Sequence, residues 1–188
     1  MCGICGIVNF DHNHQVEANK LMAMRDLLIH RGPDDAGIYV NNNVGLAHRR
    51  LSIIDLAGGS QPMSNEDNTI WIVYNGEIYN FLELKEQLYS KGHIFKTNSD
   101  TEVILHAYEE FGVVCLDHLR GMFAFAIWDD NKKQLFAARD RLGIKPFYYT
   151  DLDDSFLFSS EIKSTSLVVT FTLYRSFNRN SSPFFIFS

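Results

Sequence analysis

The 188 residues include only three cysteines, four prolines and two tryptophans. So sparse and odd a set of cysteines cannot build the disulfide framework of a small secreted domain, and it points to a reducing, cytoplasmic setting. Basic residues are the minority charge, with 17 Lys and Arg against 23 Asp and Glu and a net charge of −6. Such a chain lacks the phosphate-neutralising surface that nucleic-acid binding requires. Long apolar runs are missing too. The longest, Met122 to Trp128, falls far short of the roughly 20 residues of a membrane-spanning helix. The stretch Met1–Val8 has no basic flank and no extended apolar core, so no signal peptide is expected. Neither nucleic acid nor membrane is an expected partner.

What is present is ordinary for a globular protein: 46% hydrophobic and 21% charged residues. That composition excludes a disordered or fibrous chain. The length suits one domain with a tail. Residues 2–10 read as a buried strand, and Leu21, Met24 and Leu28 mark a helix over 16–29. Short strands are expected at 36–40, 44–49, 51–55 and 70–75, with a Gly- and Pro-containing loop over 56–69. Two helices carry start and stop signals: Asn80 with Glu83 and Ser99 with Glu102 read as capping boxes, ended by Gly92 and Gly112. In the run Met122–Trp128, Phe123, Phe125 and Ile127 share one face while Ala124 and Ala126 share the other. Such a strand is covered on both sides. Further strands are expected at 134–139, 146–150 and 155–159, which together suggest a layered α+β fold.

The sharpest chemical feature is Cys2. Removal of the initiator Met would place a thiol and a free α-amine on one residue, and an amine of pKa roughly 7.7–8 can serve as base for that thiol. From position alone a buried structural cysteine is the default. Cys2-x-x-Cys5 also matches half of a metal site or a redox pair, but no second pair exists, and positions 2 and 5 of a strand face opposite ways. Cys5 therefore reads as core. His12 and His14 sit in a polar turn, and no metal site is expected. Asn75-Gly76-Glu77 follows a strand, where an amide side chain and a backbone N–H can converge on an oxyanion; a plain turn is the simpler reading. Arg50 ends a predicted strand. Asp100 opens a helix, where the helix dipole favours a carboxylate.

These fragments gain meaning together. Cys2-Gly3-Ile4, His30-Arg31-Gly32-Pro33-Asp34, His48-Arg49-Arg50-Leu51-Ser52-Ile53-Ile54-Asp55, Tyr74-Asn75-Gly76-Glu77-Ile78-Tyr79-Asn80, Ser99-Asp100-Thr101-Glu102, Gly121-Met122-Phe123-Ala124-Phe125 and Arg139-Asp140-Arg141-Leu142-Gly143-Ile144-Lys145-Pro146 occur in order. Over residues 2–163 the chain resembles the class II glutamine amidotransferase domain of glutamine-hydrolysing asparagine synthetases. The resemblance implies a four-layer αββα N-terminal-nucleophile hydrolase sandwich with two antiparallel sheets. It implies that Cys2 attacks the side-chain amide of L-glutamine, and that Asn75 and the N–H of Gly76 form the oxyanion hole. Arg50 would clamp the α-carboxylate, Asp100 with Glu77 would hold the α-ammonium, and Leu51, Ser52, Ile53 and Ile54 would line the pocket through their backbone. The ammonia would serve the amidation of aspartate in asparagine biosynthesis.

The resemblance implies a glutaminase step without a cofactor, with ATP and magnesium belonging to a synthetase domain whose Ser-Gly-Gly-x-Asp-Ser loop is not in this sequence. Residues 164–188 contain no acidic residue and match nothing in that resemblance. A truncated or frameshifted product is the leading expectation. A stand-alone glutaminase with a separate acceptor subunit, an inactive remnant, and an amidotransferase for a different acceptor are the alternatives.

Overall fold

A computed structural model of the chain describes residues 1–51 and 59–168, and the backbone of 184–187. Alternation of side chains along the strands decides the architecture. One sheet runs in the order β2–β3–β1–β9–β8, with β1 Gly3–Asn9, β2 Asp35–Asn41, β3 Val44–Arg50, β8 Tyr148–Asp151 and β9 Ser155–Ser159. The other runs β10–β7–β6–β5–β4, with β4 Met63–Ser64, β5 Ile70–Ile78, β6 Gly121–Asp129, β7 Gln134–Arg139 and β10 Phe184–Phe187. All pairings are antiparallel except β10 with β7, which is parallel. The second sheet is therefore mixed at its edge, where an antiparallel sheet was expected.

Three apolar layers follow from the period of two. Ile4 and Val8 of β1, Val44 and Leu46 of β3, and Phe156 and Phe158 of β9 face Val73, Ala124, Ala126 and Ala137 across the gap between the sheets. The small alanines opposite two phenylalanines let sheets about 10 Å apart interdigitate without voids. On the outer side of the first sheet, Cys5, Ile7, Ala47 and Leu157 pack under Leu21 and Met24 of α1, Ala18–Asp26. On the outer side of the second, Ile72, Tyr74, Phe123, Phe125 and Ile127 pack under α2, Phe81–Ser90, and α3, Asp100–Phe111. The order of layers is thus helix, sheet, sheet, helices. The phenylalanine and alanine faces of the strand around 122–128 lie where the alternation placed them.

The expected elements form with shifted ends. The helix read over 16–29 is shorter, and a 3₁₀ turn over 112–117 follows α3. The capping boxes are only partly made. The Ser99 side chain accepts from Glu102 N at 3.3 Å, but Glu102 turns its carboxylate to Lys96 N and Thr97 N, at 2.8 and 2.7 Å. Asn80 makes no cap bond. It ties the turn at the start of β6 instead, accepting from Arg120 N and donating to His118 O, each at 2.9 Å. Gly92 and Gly112 end α2 and α3 at φ of 101° and 61°, conformations that an L side chain disfavours. A short helix α4, Ile162–Ser166, crosses the expected boundary at 163, and the Ser164 hydroxyl donates to Met24 O at 2.9 Å. Most of the strand expected over 51–55 lies outside the described residues.

Candidate active site

Even-numbered residues of β1 face the gap between the sheets, as do odd-numbered residues of β5. Continuing both alternations puts Cys2 and Asn75 at the same open end of that gap. A cavity of about 570 Å³ lies there, and Cys2, Arg50, Leu51, Asn75, Gly76, Glu77 and Asp100 all line it. Of the residues expected from the sequence, only Ser52, Ile53 and Ile54 fall outside the described part of the chain.

The three cysteines separate clearly. Cys2 is half-buried and its Sγ lies 3.9 Å from Leu51 O. Cys5 is fully buried on the α1 side of β1, and burial pushes its thiol up to about 12. Cys115 is pushed equally high by burial. Only Cys2 presents a thiol to the cavity, and the pairing of Cys2 with Cys5 is ruled out by the opposite faces they occupy. Arg31 anchors the strand start by donating from Nε to Cys2 O at 3.0 Å, and its Nη1 meets Glu161 Oε1 at 3.2 Å.

Backbone direction along β5 carries the next part of the geometry. Amide hydrogens alternate sides on a strand. Tyr74 N donates to Gln61 Oε1 at 2.6 Å and Ile78 N to Asp100 Oδ2 at 3.0 Å, both on the edge away from β6. Gly76 lies between them with the same parity, so its N–H leaves that edge too. A Cβ at Gly76 would stand 2.4 Å from Met122 O and 2.7 Å from the Tyr74 ring, so only glycine fits. Beside it, Asn75 is 2% exposed and its Nδ2 is buried without a hydrogen-bond partner. A buried amide with no acceptor costs roughly 1–3 kcal/mol. An acceptor that arrives in the cavity would remove that cost.

The cavity also carries charged side chains. Asp100 Oδ2 accepts from Tyr74 Oη at 2.6 Å as well as from Ile78 N. Burial first, and then the Asp100 carboxylate, hold the Tyr74 phenol well above its usual range, so it stays a donor. Arg50 is 7% exposed, and its guanidinium lies against Gly59, where a Cβ would come within 2.6 Å of Nη2. Glu77 is exposed at the rim.

Other lining residues were given no role from the sequence. Gln61 sits in the expected loop, yet it bridges Tyr74 N to Thr101 Oγ1, the latter at 3.3 Å. His48 is buried against the backbone of Tyr74. Burial, with Arg50 adding to it, pulls its pKa down to about 3, so the ring is neutral. Lys145 was legible only as part of a motif. The Asp140 carboxylate accepts from the amides of Phe123, Leu142, Ile144 and Lys145 and shapes the loop that brings Lys145 to the cavity. Burial alone would raise the Asp140 pKa, but those four amides hold it below the usual carboxylate range.

Comparison with known proteins places this geometry. The family model described as a glutamine amidotransferase domain matches residues 1–180. The chain is 49% identical over 166 residues to asparagine synthetase [glutamine-hydrolyzing] 3 of Bacillus subtilis (strain 168), which covers 87% of this chain and 27% of that protein. It is 46% identical over 167 residues to asparagine synthetase [glutamine-hydrolyzing] 3 of Arabidopsis thaliana, covering 88% and 28%. The chain thus spans little more than a quarter of the length of these relatives. Among solved structures, the B. subtilis glutamine phosphoribosylpyrophosphate amidotransferase complexed with ADP and GMP shares the fold. Its TM-score is 0.75 at 24% identity, over 89% of this chain and 43% of that one. Among the described residues no helix is long and apolar enough to cross a membrane. The doubly covered sandwich, the cavity at its open end and these likenesses agree: the chain belongs to the glutamine amidotransferase domain family.

Proposed function

We propose that this chain hydrolyses L-glutamine to glutamate and ammonia, with Cys2 as nucleophile once Met1 is removed. The observation that carries the reading is the buried, unpartnered Nδ2 of Asn75 in the cavity that Cys2 opens into. Arg50 takes the α-carboxylate, to which a planar guanidinium is suited. Asp100 takes the α-ammonium, with Glu77 at the rim. Leu51 forms part of the wall. The opposed charges of Arg50 and Asp100 select a free amino acid over a peptide-bound glutamine.

The freed α-amine of Cys2 accepts the thiol proton, and the sulfur attacks the amide carbon. The oxyanion accepts hydrogen bonds from Asn75 Nδ2 and Gly76 N–H. The intermediate collapses, the α-ammonium returns its proton to the leaving nitrogen, and ammonia departs from a γ-glutamyl thioester. Water, deprotonated by the same amine, then attacks the thioester and releases glutamate and the thiol. Atoms balance with water as the only co-reactant, and no step is assigned to a cofactor or metal.

In a longer protein or with a partner subunit, the ammonia would pass to an ATP- and magnesium-dependent synthetase that amidates aspartate, in a cytoplasmic setting. The 188 residues contain no Ser-Gly-Gly-x-Asp-Ser loop; Ala57-Gly58-Gly59-Ser60 lacks the aspartate. Incubation with glutamine, aspartate, ATP and magnesium should therefore release glutamate in step with ammonia, with no asparagine, AMP or pyrophosphate. Absence of glutamate release from folded, Met1-processed protein would overturn the glutaminase reading. ATP-dependent asparagine formation by this chain alone would overturn its restriction to the first half-reaction.

A further inference from the structure

On the outer helical layer, away from the cavity, the connection after α2 meets the C-terminal half of α3. His106 and Glu109 are three residues apart and share a face of α3. His93 comes from the connection. The potential ligand atoms of His93, His106 and Glu109 all lie within 4.8 Å of one another. His106 Nδ1 is 2.7 Å from Glu109 Oε2, and His93 Nδ1 is 3.8 Å from the same oxygen. Zinc bonds of about 2.0–2.2 Å in a tetrahedral array set donors roughly 3.3 Å apart. The two observed separations bracket that spacing.

The surroundings of both rings add an independent observation. A metal-bound histidine gives its other ring N–H to a carboxylate, which fixes the tautomer. His93 Nε2 lies 3.2 Å from Glu110 Oε2. The His106 side chain is 1% exposed, and its Nε2 is buried with no hydrogen-bond partner, facing Glu66 Oε1 at 3.7 Å and Glu102 Oε1 at 3.8 Å. Asn65 Nδ2 donates to Glu109 Oε1 at 2.8 Å, which leaves Oε2 turned toward the histidines. Among the described residues, the ion pairs to Glu66, Glu102, Glu109 and Glu110 come from Lys91, His93 and His106.

We propose that His93, His106 and Glu109 form a zinc-type divalent metal site that staples the α2–α3 connection to α3. Two imidazoles and one carboxylate suit zinc or a neighbouring transition metal rather than calcium or magnesium, and water completes the shell. Glu102 is not a ligand, because Lys96 N, Thr97 N and Thr97 Oγ1 already occupy its oxygens. Glu110 acts through His93, whereas Glu66 and Glu102 stand beyond hydrogen-bond distance of His106 Nε2. The site lies six residues along α3 from Asp100, about 9 Å at 1.5 Å per residue, so it stabilises the helical layer and takes no part in the chemistry.

The test uses the full chain as Cys2→Ala, which removes the cavity-facing thiol as a competing ligand, stripped of metal and titrated with zinc chloride by calorimetry. One equivalent should bind with micromolar or tighter affinity and raise Tm by several degrees. Cobalt chloride should give the visible absorption bands of a tetrahedral site. His93→Gln, at a partly exposed position that tolerates change, should abolish both signals, and Glu110→Gln should weaken zinc binding about 10- to 100-fold. The buried His106→Gln should behave like His93→Gln, and its folding can be checked by circular dichroism. Binding that survives His93→Gln, or that is lost on mutating His12 and His14 instead, overturns the assignment. So does a metal-stripped protein that takes up no zinc at micromolar concentration.

Discussion

Tyr74 Oη donates to Asp100 Oδ2 across 2.6 Å, joining the middle of β5 to the first turn of α3. Ile78 N reaches the same oxygen from the next turn of the strand edge. The carboxylate is thus oriented by the sheet although it belongs to a helix. Asp100 is a binding residue in the proposed reaction, and Tyr74 is its positioning residue.

Tyr74→Phe should therefore weaken glutamine binding without touching the reacting atoms. Loss of a hydrogen bond to a charged group costs about 1.5–3 kcal/mol, so the Michaelis constant should rise about 10-fold or more while kcat stays within about twofold. Steady-state glutamate release measures both. A fall in kcat with an unchanged Michaelis constant would show that Tyr74 acts on the transition state instead.

Asn75→Ala should lower kcat roughly 10²–10³-fold, the usual effect of removing one oxyanion donor. The variant should also fold at least as well as the parent, because it deletes a buried amide that has no partner. Kinetics and a denaturant curve on the same preparation test the two halves. An effect confined to the Michaelis constant would move Asn75 to ground-state binding.

Cys2→Ala should abolish glutamate release, and so should an uncleavable N-terminal extension that blocks the α-amine. Cys5→Ala should keep its kinetic constants and lose only stability, since Cys5 is packed under α1 with its thiol pushed up to about 12 by burial. Activity lost in folded Cys5→Ala would sink the separation of the two thiols.

Gly59→Ala should disturb Arg50. The added methyl would stand 2.6 Å from Nη2, so the guanidinium must shift. A displaced clamp weakens the ground and transition states alike, so the Michaelis constant should rise several-fold with kcat nearly unchanged. Glutamine analogues lacking the α-carboxylate should bind wild type and Gly59→Ala equally. Any discrimination between the two proteins with such an analogue would mean that Gly59 acts elsewhere.

His48 supplies a pH signature. Burial first, and the Arg50 charge second, lower its pKa from 6.5 to about 3. Between these values the unfolded chain binds one proton more at this residue than the folded one. Its contribution is therefore complete above pH 6.5 and is lost as pH falls toward 3, at up to about 1.36 kcal/mol per pH unit. Urea denaturation at pH 7 and pH 4.5 should show a smaller acid loss for His48→Gln than for wild type. Equal losses would place the proton uptake at other residues.

The strand and helix content and the layered class were legible in the residues themselves, and the candidate site was legible through the resemblance that the ordered motifs carry. Alternation in the strand around Phe123 to Ile127 requires cover on both faces, and that requirement holds in any sandwich. The motifs around Cys2, Arg50, Asn75 and Asp100 are local strings, so their residue types could be read without knowing where they meet. The capping boxes show the limit of that reading. Asn80 has the right spacing with Glu83, but partners at His118 and Arg120, distant in sequence, compete for its side chain.

Only the folded chain decided the rest. Cys2 and Asn75 share a cavity because β1 and β5 lie in different sheets whose inner faces end at the same opening, a relation between strands about 70 residues apart that no periodicity encodes. The direction of the Gly76 N–H depends on which edge of β5 is free, and that is set by pairing with β6. Gln61, in a stretch that reads as loop, became part of the site because its side chain satisfies Tyr74 N. His93, His106 and Glu109 have no motif between them. They converge because α2 turns back at Gly92 and lays its connection against α3. Residue types and their local spacing are properties of the sequence. Convergence of buried polar groups is a property of packing, since each must find its partner among whatever the tertiary fold brings within about 3 Å.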